Sequence, residues 1–468
     1  MIVPRLLIGS LSGGGGKTLV SAGLLAALRR KGFAVAPFKK GPDYIDAAWL
    51  SQAAGTDCRN LDLFLMSADT VRRSFLTGAA NADLALIEGN RGLFDGADAR
   101  GTWSSAELAK VLRAPVVLVV DCAKTTRTAA ALVLGCQRLD PAVAIRGVIL
   151  NRTAGARHEA VLREAIESAC GLSVLGALPR LDHPPFTDRH LGLLPPAEHG
   201  RIDEAVAGAA DLIERHVDLD AIRALAKGAA PLEGPVRAPV RSGSLRESAR
   251  IGVFRDAAFQ FYYAENLEAL RREGARLIDI SPLADSALPD VDALYIGGGF
   301  PETLAERLAA NGSFRESLRL AVHDGLPVYA ECGGAVYLGT ELVMGGTAYA
   351  MAGALPAVFG FGDRPNGHGY AVLEAVQPNP FFDVGESLRG HEFHYTYLAS
   401  VGTEGVTFVF RVRRGHGFDG QRDGLCYRNA LALYTHIHAL GVESWAPSLV
   451  GAAVRRRHSC AQPGGAAR

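Results

Sequence analysis

Short apolar runs alternate with amphipathic stretches along the first half of the chain. The stretches at residues 18–32 and 104–114 repeat their apolar residues at helical spacing. Continuously apolar strands are typical of parallel sheets that are buried on both faces. The pattern therefore predicts an α/β domain whose parallel sheet is covered by helices. Its predicted strands are residues 5–10, 33–40, 83–89, 114–122 and 144–152.

A second alternation of strands and helices follows a stretch without periodicity. That stretch, residues 227–248, is rich in Gly, Pro, Arg and Ser and is predicted to be a linker. A strand at 250–256 and a helix at 265–274 open the second domain, and region 345–430 has the pattern of antiparallel strands or of irregular structure. The predicted organisation is a domain at 1–226, the linker at 227–248, a domain at 249–445 and a C-terminal tail at 446–468.

Composition and charge narrow the classes of function. The 468 residues carry 49 Lys plus Arg and 49 Asp plus Glu, whereas general nucleic-acid binders usually have a basic excess. Seven widely spaced cysteines without a Cys-x-x-Cys pair argue against a disulfide scaffold or structural zinc. We find neither a signal-peptide pattern nor an uncharged apolar run of about 20 residues. We therefore expect a cytoplasmic protein without nucleic-acid or membrane partners, whose basic end at 454–468 has little structure.

A glycine-rich phosphate loop, SLSGGGGKT, lies between a predicted strand and a predicted helix. Backbone N–H groups in such a loop surround phosphate oxygens, and the helix start adds its positive dipole end. Lys17 would reach the β- and γ-phosphates, and the Thr18 hydroxyl would bind Mg²⁺. The loop is a variant, because Leu11 stands where the usual pattern has glycine, and a simple glycine turn is the alternative. The candidate nucleotide-binding residues are Ser12, Gly13, Gly14, Gly15, Gly16, Lys17 and Thr18.

Carboxylates follow two further predicted strands, at the edge where the ends of parallel strands meet. Asp43 and Asp46 lie in FKKGPDYID, and Glu88 begins EGNRGLFDG. Because Mg²⁺ prefers oxygen ligands and phosphates, we predict that Thr18, Asp43 and Glu88 bind it. Each carboxylate alone could instead cap a helix or a turn. Lys39 could bind phosphate or a substrate carboxylate, or it could be solvated.

A candidate nucleophile, Cys332, lies between an apolar strand and a glycine-rich helix start in PVYAECGGAVYLG. A sharp strand-to-helix turn points helix N–H groups at the side chain, so we expect a lowered thiol pKa. A buried cysteine that is only a small hydrophobic residue is the alternative. The candidate oxyanion donors are three glycines of two turns: Gly298, Gly299 and Gly333. The candidate bases are His436 and His438 of YTHIHA.

These motifs together resemble the cobyrinate a,c-diamide synthase family, which uses glutamine to amidate tetrapyrrole carboxylates. The resemblance covers nearly the whole chain. It implies an ATP-binding domain similar to dethiobiotin synthetase, followed by a class I glutamine amidotransferase domain. The motifs are the GKT loop, FKKGPDYIDAAW, RNLD, IEGNRGLFDG and RHLGL, then FYYAENLEAL, YIGGGFPE, YAECGG, GHEFHY and YTHIH.

The resemblance implies a reaction at two sites. Cys332 attacks the glutamine amide and forms a thioester, and the ammonia is used where ATP and Mg²⁺ convert a carboxylate into an acyl phosphate. His436 matches the histidine that raises the nucleophilicity of the cysteine. Class I enzymes have a Glu two residues later, where His438 stands here, so we expect a Cys–His pair. Weaker candidates for substrate contact are Lys39, Tyr44, Asp46, Asn90, His391 and His394.

Alternatives remain for the identity of the tetrapyrrole, for the class of reaction and for the oligomeric state. Related enzymes amidate cobyrinate, hydrogenobyrinate, nickel-sirohydrochlorin or sirohaem, and SGGGGKT, GNRGLFDG and THIHALGVESWAPSLV resemble the sirohaem branch. Cobyric acid synthase has a similar build but fits FKKGPDYID and GHEFHY less well. A P-loop partitioning or regulatory ATPase with a non-catalytic C-terminal domain would hydrolyse ATP without glutaminase activity. For the oligomeric state, a homodimer is the alternative to a monomer.

Overall fold

The computed structural model describes residues 3–186, 188–189, 192–233 and 248–461. These residues divide into two units, one up to residue 233 and one from residue 248. The division therefore falls within the predicted linker, most of which lies outside the described residues. Part of the RHLGL motif and the chain after Ala461 also lie outside them.

Parallel strands and covering helices make up the first unit. Its strands are β1 (Arg5–Ser10), β2 (Val35–Lys40), β3 (Arg59–Leu61), β4 (Leu84–Glu88), β5 (Val116–Asp121), β6 (Ile145–Thr153), β7 (Ser173–Pro179), β8 (Asp188–Arg189) and β9 (Gly192–Leu193). Its α-helices are α1 (Lys17–Arg30), α2 (Ile45–Ala54), α3 (Ala68–Gly78), α4 (Ser105–Val111), α5 (Arg127–Leu139), α6 (Ala156–Cys170), α7 (Ile202–His216) and α8 (Leu219–Lys227).

The main sheet of this unit has the order β3-β2-β4-β1-β5-β6-β7, and all its strands are parallel. The predicted parallel sheet is thus confirmed. Strand β1 lies in the middle, beside β4, and its Ile8 pairs with Glu88, which in turn pairs with Lys39 of β2. The carboxyl ends of three neighbouring strands therefore meet where the phosphate loop begins.

The second unit combines parallel and antiparallel strands. Its strands are β10 (Ala249–Phe254), β11 (Ala275–Ile280), β12 (Ala293–Ile296), β13 (Val328–Glu331), β14 (Glu341–Met344), β15 (Thr347–Ala350), β16 (Ala357–Phe361), β17 (Gly367–Ala375), β18 (Ser387–His394), β19 (Thr396–Val401), β20 (Val406–Arg414), β21 (Arg422–Tyr427), β22 (Ala430–Leu433) and β23 (His436–Ile437). Its α-helices are α9 (Ala264–Arg272), α10 (Ala305–Ala310), α11 (Gly312–His323), α12 (Gly333–Leu338) and α13 (Trp445–Ala461).

A ten-stranded sheet in the order β11-β10-β12-β13-β22-β21-β20-β17-β18-β23 organises the second unit. Strands β10 to β13 and β22 are parallel, whereas β17, β18, β20, β21 and β23 pair antiparallel, as predicted for region 345–430. A separate sheet has the order β15-β14-β16-β19. Within the described part of the chain, no helix has the length and apolar content needed to cross a bilayer.

Helix α13 continues to Ala461, so the expectation of little structure in residues 454–468 is wrong for residues 454–461. Trp445, Leu449 and Ala453 of α13 follow one another at helical spacing and are fully buried. The Trp445 ring stands edge-on to the rings of Tyr295 and Tyr329, with centroids 5.0 and 5.5 Å away. The apolar side of the helix thus belongs to the core of the second unit.

Replacing Trp445 with alanine is expected to lower the free energy of unfolding of this unit by about 3–5 kcal/mol, because it leaves a cavity in a close-packed core. Urea unfolding followed by circular dichroism measures the change. Leu320→Ala is the matched control, since Leu320 is 54% exposed on α11. Equal midpoints for the two variants would show that α13 does not contribute to the core.

Candidate active sites

The phosphate loop connects β1 to α1, in the predicted context of strand, glycines and helix. Gly14 and Gly16 have φ values of 70° and 91°, a region that favours glycine. A Cβ at Gly16 would lie 2.2 Å from Asn151 Nδ2, which donates to the Gly15 carbonyl at 3.0 Å. The loop therefore packs directly against the carboxyl end of β6 and tolerates no side chain there.

The Lys17 side chain lies against the phosphate loop. Its Nζ donates to Ser10 Oγ and to the Arg91 carbonyl, both at 2.7 Å, and to the Ser12 carbonyl at 3.3 Å. Burial and, to a smaller extent, the neighbouring Lys39 cation lower the pKa of Lys17 to about 8. A bound phosphate anion would offset both effects and favour the charged ammonium.

A buried cluster of charges joins the ends of β2 and β4. Lys39 Nζ lies 2.6 Å from both Glu88 Oε1 and Asp46 Oδ2, and 3.8 Å from Asp43 Oδ2. Thr18 Oγ1 donates to Glu88 Oε1 at 3.1 Å. The structure therefore brings together the three predicted metal-binding residues and two of the weaker substrate candidates.

Burial and mutual charge decide the protonation of this cluster. Burial raises the pKa of Glu88 and of Asp43, although Lys39 opposes the shift at both. Burial alone would lower the pKa of Lys39, but the carboxylates of Asp46 and Glu88 outweigh it and hold that pKa well above its ordinary value. For Asp46, the Lys39 cation outweighs burial and lowers the pKa. The ammonium of Lys39 thus stays charged among the carboxylates.

The cluster fits a magnesium ion that is also held by phosphates. Glu88 Oε2 is buried, and no hydrogen-bond partner for it is found among the described residues. Asp43 Oδ1 accepts from the Asp46 N–H at 2.9 Å, so it also fixes the start of α2, as the helix-cap alternative proposed. The described chain contains no group of three or more His, Cys, Asp or Glu residues arranged for a metal. One or two carboxylates plus phosphates suffice for Mg²⁺.

A cleft of about 1030 Å³ in the first unit opens from the phosphate loop. Lys39, Asp46 and Asn90 line it on the side of the carboxylates, whereas Tyr44 is not among its lining residues. The opposite wall lies at the ends of β5, β6 and β7 and is formed by Lys124, Thr125, Asn151, Arg152, Pro179, Arg180 and Phe186. The volume suits a nucleotide with a second ligand beside its phosphates.

Two residues that the sequence patterns did not single out position the loop that carries Asp43. One lies in β3, and the other directly follows this strand. Asn60 Nδ2 donates to the carbonyls of Gly41 and Asp43, at 2.8 and 2.9 Å. Asp62 Oδ2 lies 3.6 Å from the buried Lys40 Nζ. Both residues belong to the RNLD motif, whose local sequence gave no hint of these contacts.

Cys332 stands at a strained turn between β13 and α12. Its backbone has φ 49° and ψ −107°, and its N–H donates to the Leu433 carbonyl of β22 at 2.7 Å. Burial raises the pKa of the thiol, and the carboxylate of Glu302 adds to the increase. The expectation of a lowered pKa is therefore wrong, because burial and nearby carboxylates outweigh the opposing hydrogen bond from the Gly333 N–H. The thiol needs a base to become nucleophilic.

The three predicted oxyanion glycines lie close together beside this turn. A Cβ at Gly333 would lie 3.1 Å from the Gly299 nitrogen, and one at Gly299 would lie 1.9 Å from the Ala258 carbonyl. A Cβ at Gly298 would lie 2.5 Å from His436 Cε1. These positions therefore have no room for side chains, and the imidazole edge of His436 faces the glycine loop.

His436 is buried on β23, and a carboxylate lies next to it. Its Nδ1 is 3.2 Å from Glu331 Oε2. The histidine of the expected Cys–His pair thus has a carboxylate beside it, and that carboxylate comes from the residue before Cys332. Glu331 was not predicted, and its only signal in the sequence is its place beside the nucleophile. His438 lies instead with its Nε2 3.6 Å from Glu265 Oε2.

His391 and His394 are buried on β18 near the same site. The His391 ring stacks on that of His436 with a centroid distance of 4.9 Å, and its Nδ1 lies 3.2 Å from Tyr263 Oη. Burial holds the pKa of His391 well below its usual value, and the neighbouring His436 lowers it further. The His394 ring stacks on Tyr434 at 3.7 Å. His391 thus lies beside the candidate base, whereas His394 packs against Tyr434.

Comparisons with known proteins match both units. Residues 6–186 match the family model "CobQ/CobB/MinD/ParA nucleotide binding domain", and residues 250–443 match "CobB/CobQ-like glutamine amidotransferase domain". The cobyrinate a,c-diamide synthase of Magnetococcus marinus is 45% identical over 465 residues, covering 98% of this chain and 99% of that protein.

Archaeal relatives with the same name also match. The cobyrinate a,c-diamide synthase of Archaeoglobus fulgidus is 41% identical, covering 98% of this chain and 99% of that protein. The one of Methanothermobacter thermautotrophicus is 39% identical, covering 94% and 98%. The resemblance seen in the motifs is confirmed over both units. The chain therefore belongs to the cobyrinate a,c-diamide synthase family of glutamine-dependent amidoligases.

Proposed function

We propose that this chain uses ATP and glutamine to amidate the a and c acetate carboxylates of cobyrinate or hydrogenobyrinate. The observation that carries the proposal is that one chain holds both a phosphate loop with a buried Lys39–Glu88 cluster and a Cys332 turn with His436 beside its glycines. The names of the relatives support the choice of substrate. Neither half alone would accomplish an amidation that takes its nitrogen from glutamine.

In the first unit, a substrate carboxylate must gain a leaving group. Its oxygen attacks the γ-phosphorus of ATP, and ADP departs. Ammonia then attacks the acyl carbon, and inorganic phosphate leaves with the electron pair of the broken C–O bond. Lys17 would bind the transferred phosphoryl group, and Thr18, Glu88 and Asp43 would hold Mg²⁺. The ion would neutralise the charge that develops on the phosphates.

In the second unit, His436 would take the proton of the Cys332 thiol as the sulfur attacks the glutamine amide carbon. The N–H groups beside Gly299 and Gly333 would stabilise the tetrahedral oxyanion. His436 then returns the proton to the leaving nitrogen, which departs as ammonia. Water hydrolyses the thioester to glutamate and restores the thiol.

The test offers the purified protein Mg·ATP, glutamine and one tetrapyrrole at a time. We expect two carboxylate-to-amide conversions on cobyrinate or hydrogenobyrinate by mass spectrometry, with both amides placed on acetate side chains by NMR. Sirohaem and nickel-sirohydrochlorin serve as the competing substrates. Turnover of either one instead would assign the chain to that branch, whereas ATP hydrolysis indifferent to glutamine would favour a regulatory ATPase.

A further inference from the structure

The carboxylate beside His436 comes from the residue that directly precedes the nucleophile. We propose that Glu331 is a positioning residue for His436 in glutamine hydrolysis. It takes the role of the glutamate that class I enzymes carry two residues after the histidine, where this chain has His438. The inference rests on the proposed roles of Cys332 and His436, and it adds a residue outside the expected pair.

Glu331 has a donor at each of its oxygens. Oε2 lies 3.2 Å from His436 Nδ1, and Oε1 accepts from the Ile437 N–H at 3.2 Å. The Tyr295 hydroxyl donates to Oε2 at 3.5 Å. The side chain is fully buried, so these donors replace water in stabilising the carboxylate. One carboxylate thus contacts both the imidazole and the backbone of the next residue, which fixes the ring relative to its own strand.

A second buried side chain, Asn266, holds the backbone that follows His436. Asn266 Nδ2 donates to the Ile437 carbonyl at 3.0 Å and to the Tyr295 hydroxyl at 3.2 Å, and its Oδ1 accepts from the Ala439 N–H at 2.7 Å. Asn266 is fully buried. The backbone that directly follows His436 is therefore held by Glu331 at the Ile437 N–H and by Asn266 at the Ile437 carbonyl and beyond it. Such support is what a catalytic geometry requires.

Nearby carboxylates have other contacts. Glu265 lies beside His438. Glu392 accepts from the N–H groups of His416 and Gly417. Asp423 accepts from the Tyr434 N–H and from the Thr435 hydroxyl. These acids position other parts of the unit, whereas Glu331 is aimed at the base.

The chemistry explains why a carboxylate is useful at this place. A carboxylate that accepts from Nδ1–H selects the tautomer whose Nε2 can take a proton, and it stabilises the imidazolium that forms. The need is large here, because burial raises the pKa of the Cys332 thiol and proton removal must accompany attack.

The test compares Glu331→Gln with the wild-type protein in two assays. Glutamate release from glutamine is expected to fall about 10²–10⁴-fold in kcat, with little change in KM for glutamine, because base catalysis is lost. Amidation driven by free ammonia is expected to stay at the wild-type rate.

Two further variants separate positioning from burial. Glu265→Gln removes the acid of another buried Glu–His contact, the one with His438, and is expected to keep glutamate release near the wild-type rate. Glu331→Asp keeps the charge on a shorter stem and is expected to restore part of the activity. Inactivation of Cys332 by the glutamine analogue 6-diazo-5-oxo-L-norleucine, followed over pH, gives a reading that does not depend on the tetrapyrrole.

Three results would overturn the inference: glutamate release in Glu331→Gln less than about tenfold below wild type, an equal loss in Glu265→Gln, or an equal loss of ammonia-driven amidation. If Glu331→Gln misfolds, Glu331→Asp is the deciding variant, and it must show a loss of kcat without a change in KM for glutamine. Failure of the proposed function looks different, since the wild-type protein would then amidate no tetrapyrrole even with ammonia while the glutaminase measurements still stand.

Discussion

Replacing Cys332 with alanine is expected to abolish glutamine-dependent amidation, by about 10³-fold or more, because removing the nucleophile leaves only weak residual catalysis. Free ammonia should restore the reaction to the wild-type level, since the phosphate loop and its carboxylates lie in the other unit. The measurement is ADP formation and product mass, with glutamine or ammonium chloride as the nitrogen source.

Cys426→Ala is the matched control, because Cys426 is a free cysteine of the same unit whose pKa burial also raises. It should keep full activity with glutamine. Glutamine-dependent turnover in Cys332→Ala close to that of Cys426→Ala would refute the assignment of the nucleophile. Loss of the ammonia-driven reaction in Cys332→Ala would show instead that the cysteine serves the first unit.

Replacing Glu88 with glutamine is expected to lower kcat about 10²–10³-fold with either nitrogen source, because charge stabilisation at the phosphoryl group is lost. The carboxylate lies between Thr18 and Lys39, at 3.1 and 2.6 Å. An amide in its place is a weaker ligand for Mg²⁺ and leaves the buried Lys39 less compensated. We would measure ADP formation over a titration of Mg²⁺.

Glu107→Gln serves as the control for this change, because Glu107 forms a partly exposed ion pair with Lys110 on α4 of the same unit. It should leave the reaction unchanged. The glutaminase activity of Glu88→Gln should also persist when glutamate release is measured alone. Full amidation by Glu88→Gln at limiting Mg²⁺ would remove this carboxylate from the proposed ion site.

Local order in the sequence was enough to predict the first unit and its phosphate loop. A strand, four glycines, Lys17 and a helix are neighbours along the chain, so their geometry depends little on distant residues. Because the carboxyl ends of parallel strands lie at one edge of the sheet, the sequence predicted that Glu88 and Lys39 would lie near each other. The helix α13 was missed because its basic end hid the spacing of Trp445, Leu449 and Ala453, which follow a helical repeat.

The parts of the site that the sequence could not predict depend on contacts between distant segments. Glu331 meets His436, 105 residues further along the chain, because β13 pairs with β22 and sets Glu331 opposite Leu433. The raised pKa of the Cys332 thiol has the same origin, since Glu302 and the buried surroundings come from other segments. A helix start beside the cysteine is a local signal, and in this fold burial is the stronger effect.

The positive φ at Cys332 implies that stability of the fold and catalysis make opposite demands on this position. A residue other than glycine with φ 49° costs on the order of 1–3 kcal/mol. Every folded molecule carries this cost, because the reaction needs a sulfur atom at the turn. A lineage that obtained ammonia from its surroundings would lose nothing by exchanging this cysteine for glycine, and its protein would become more resistant to heat. Sequences with glycine at this position would therefore mark relatives that have abandoned glutamine, not relatives that are damaged.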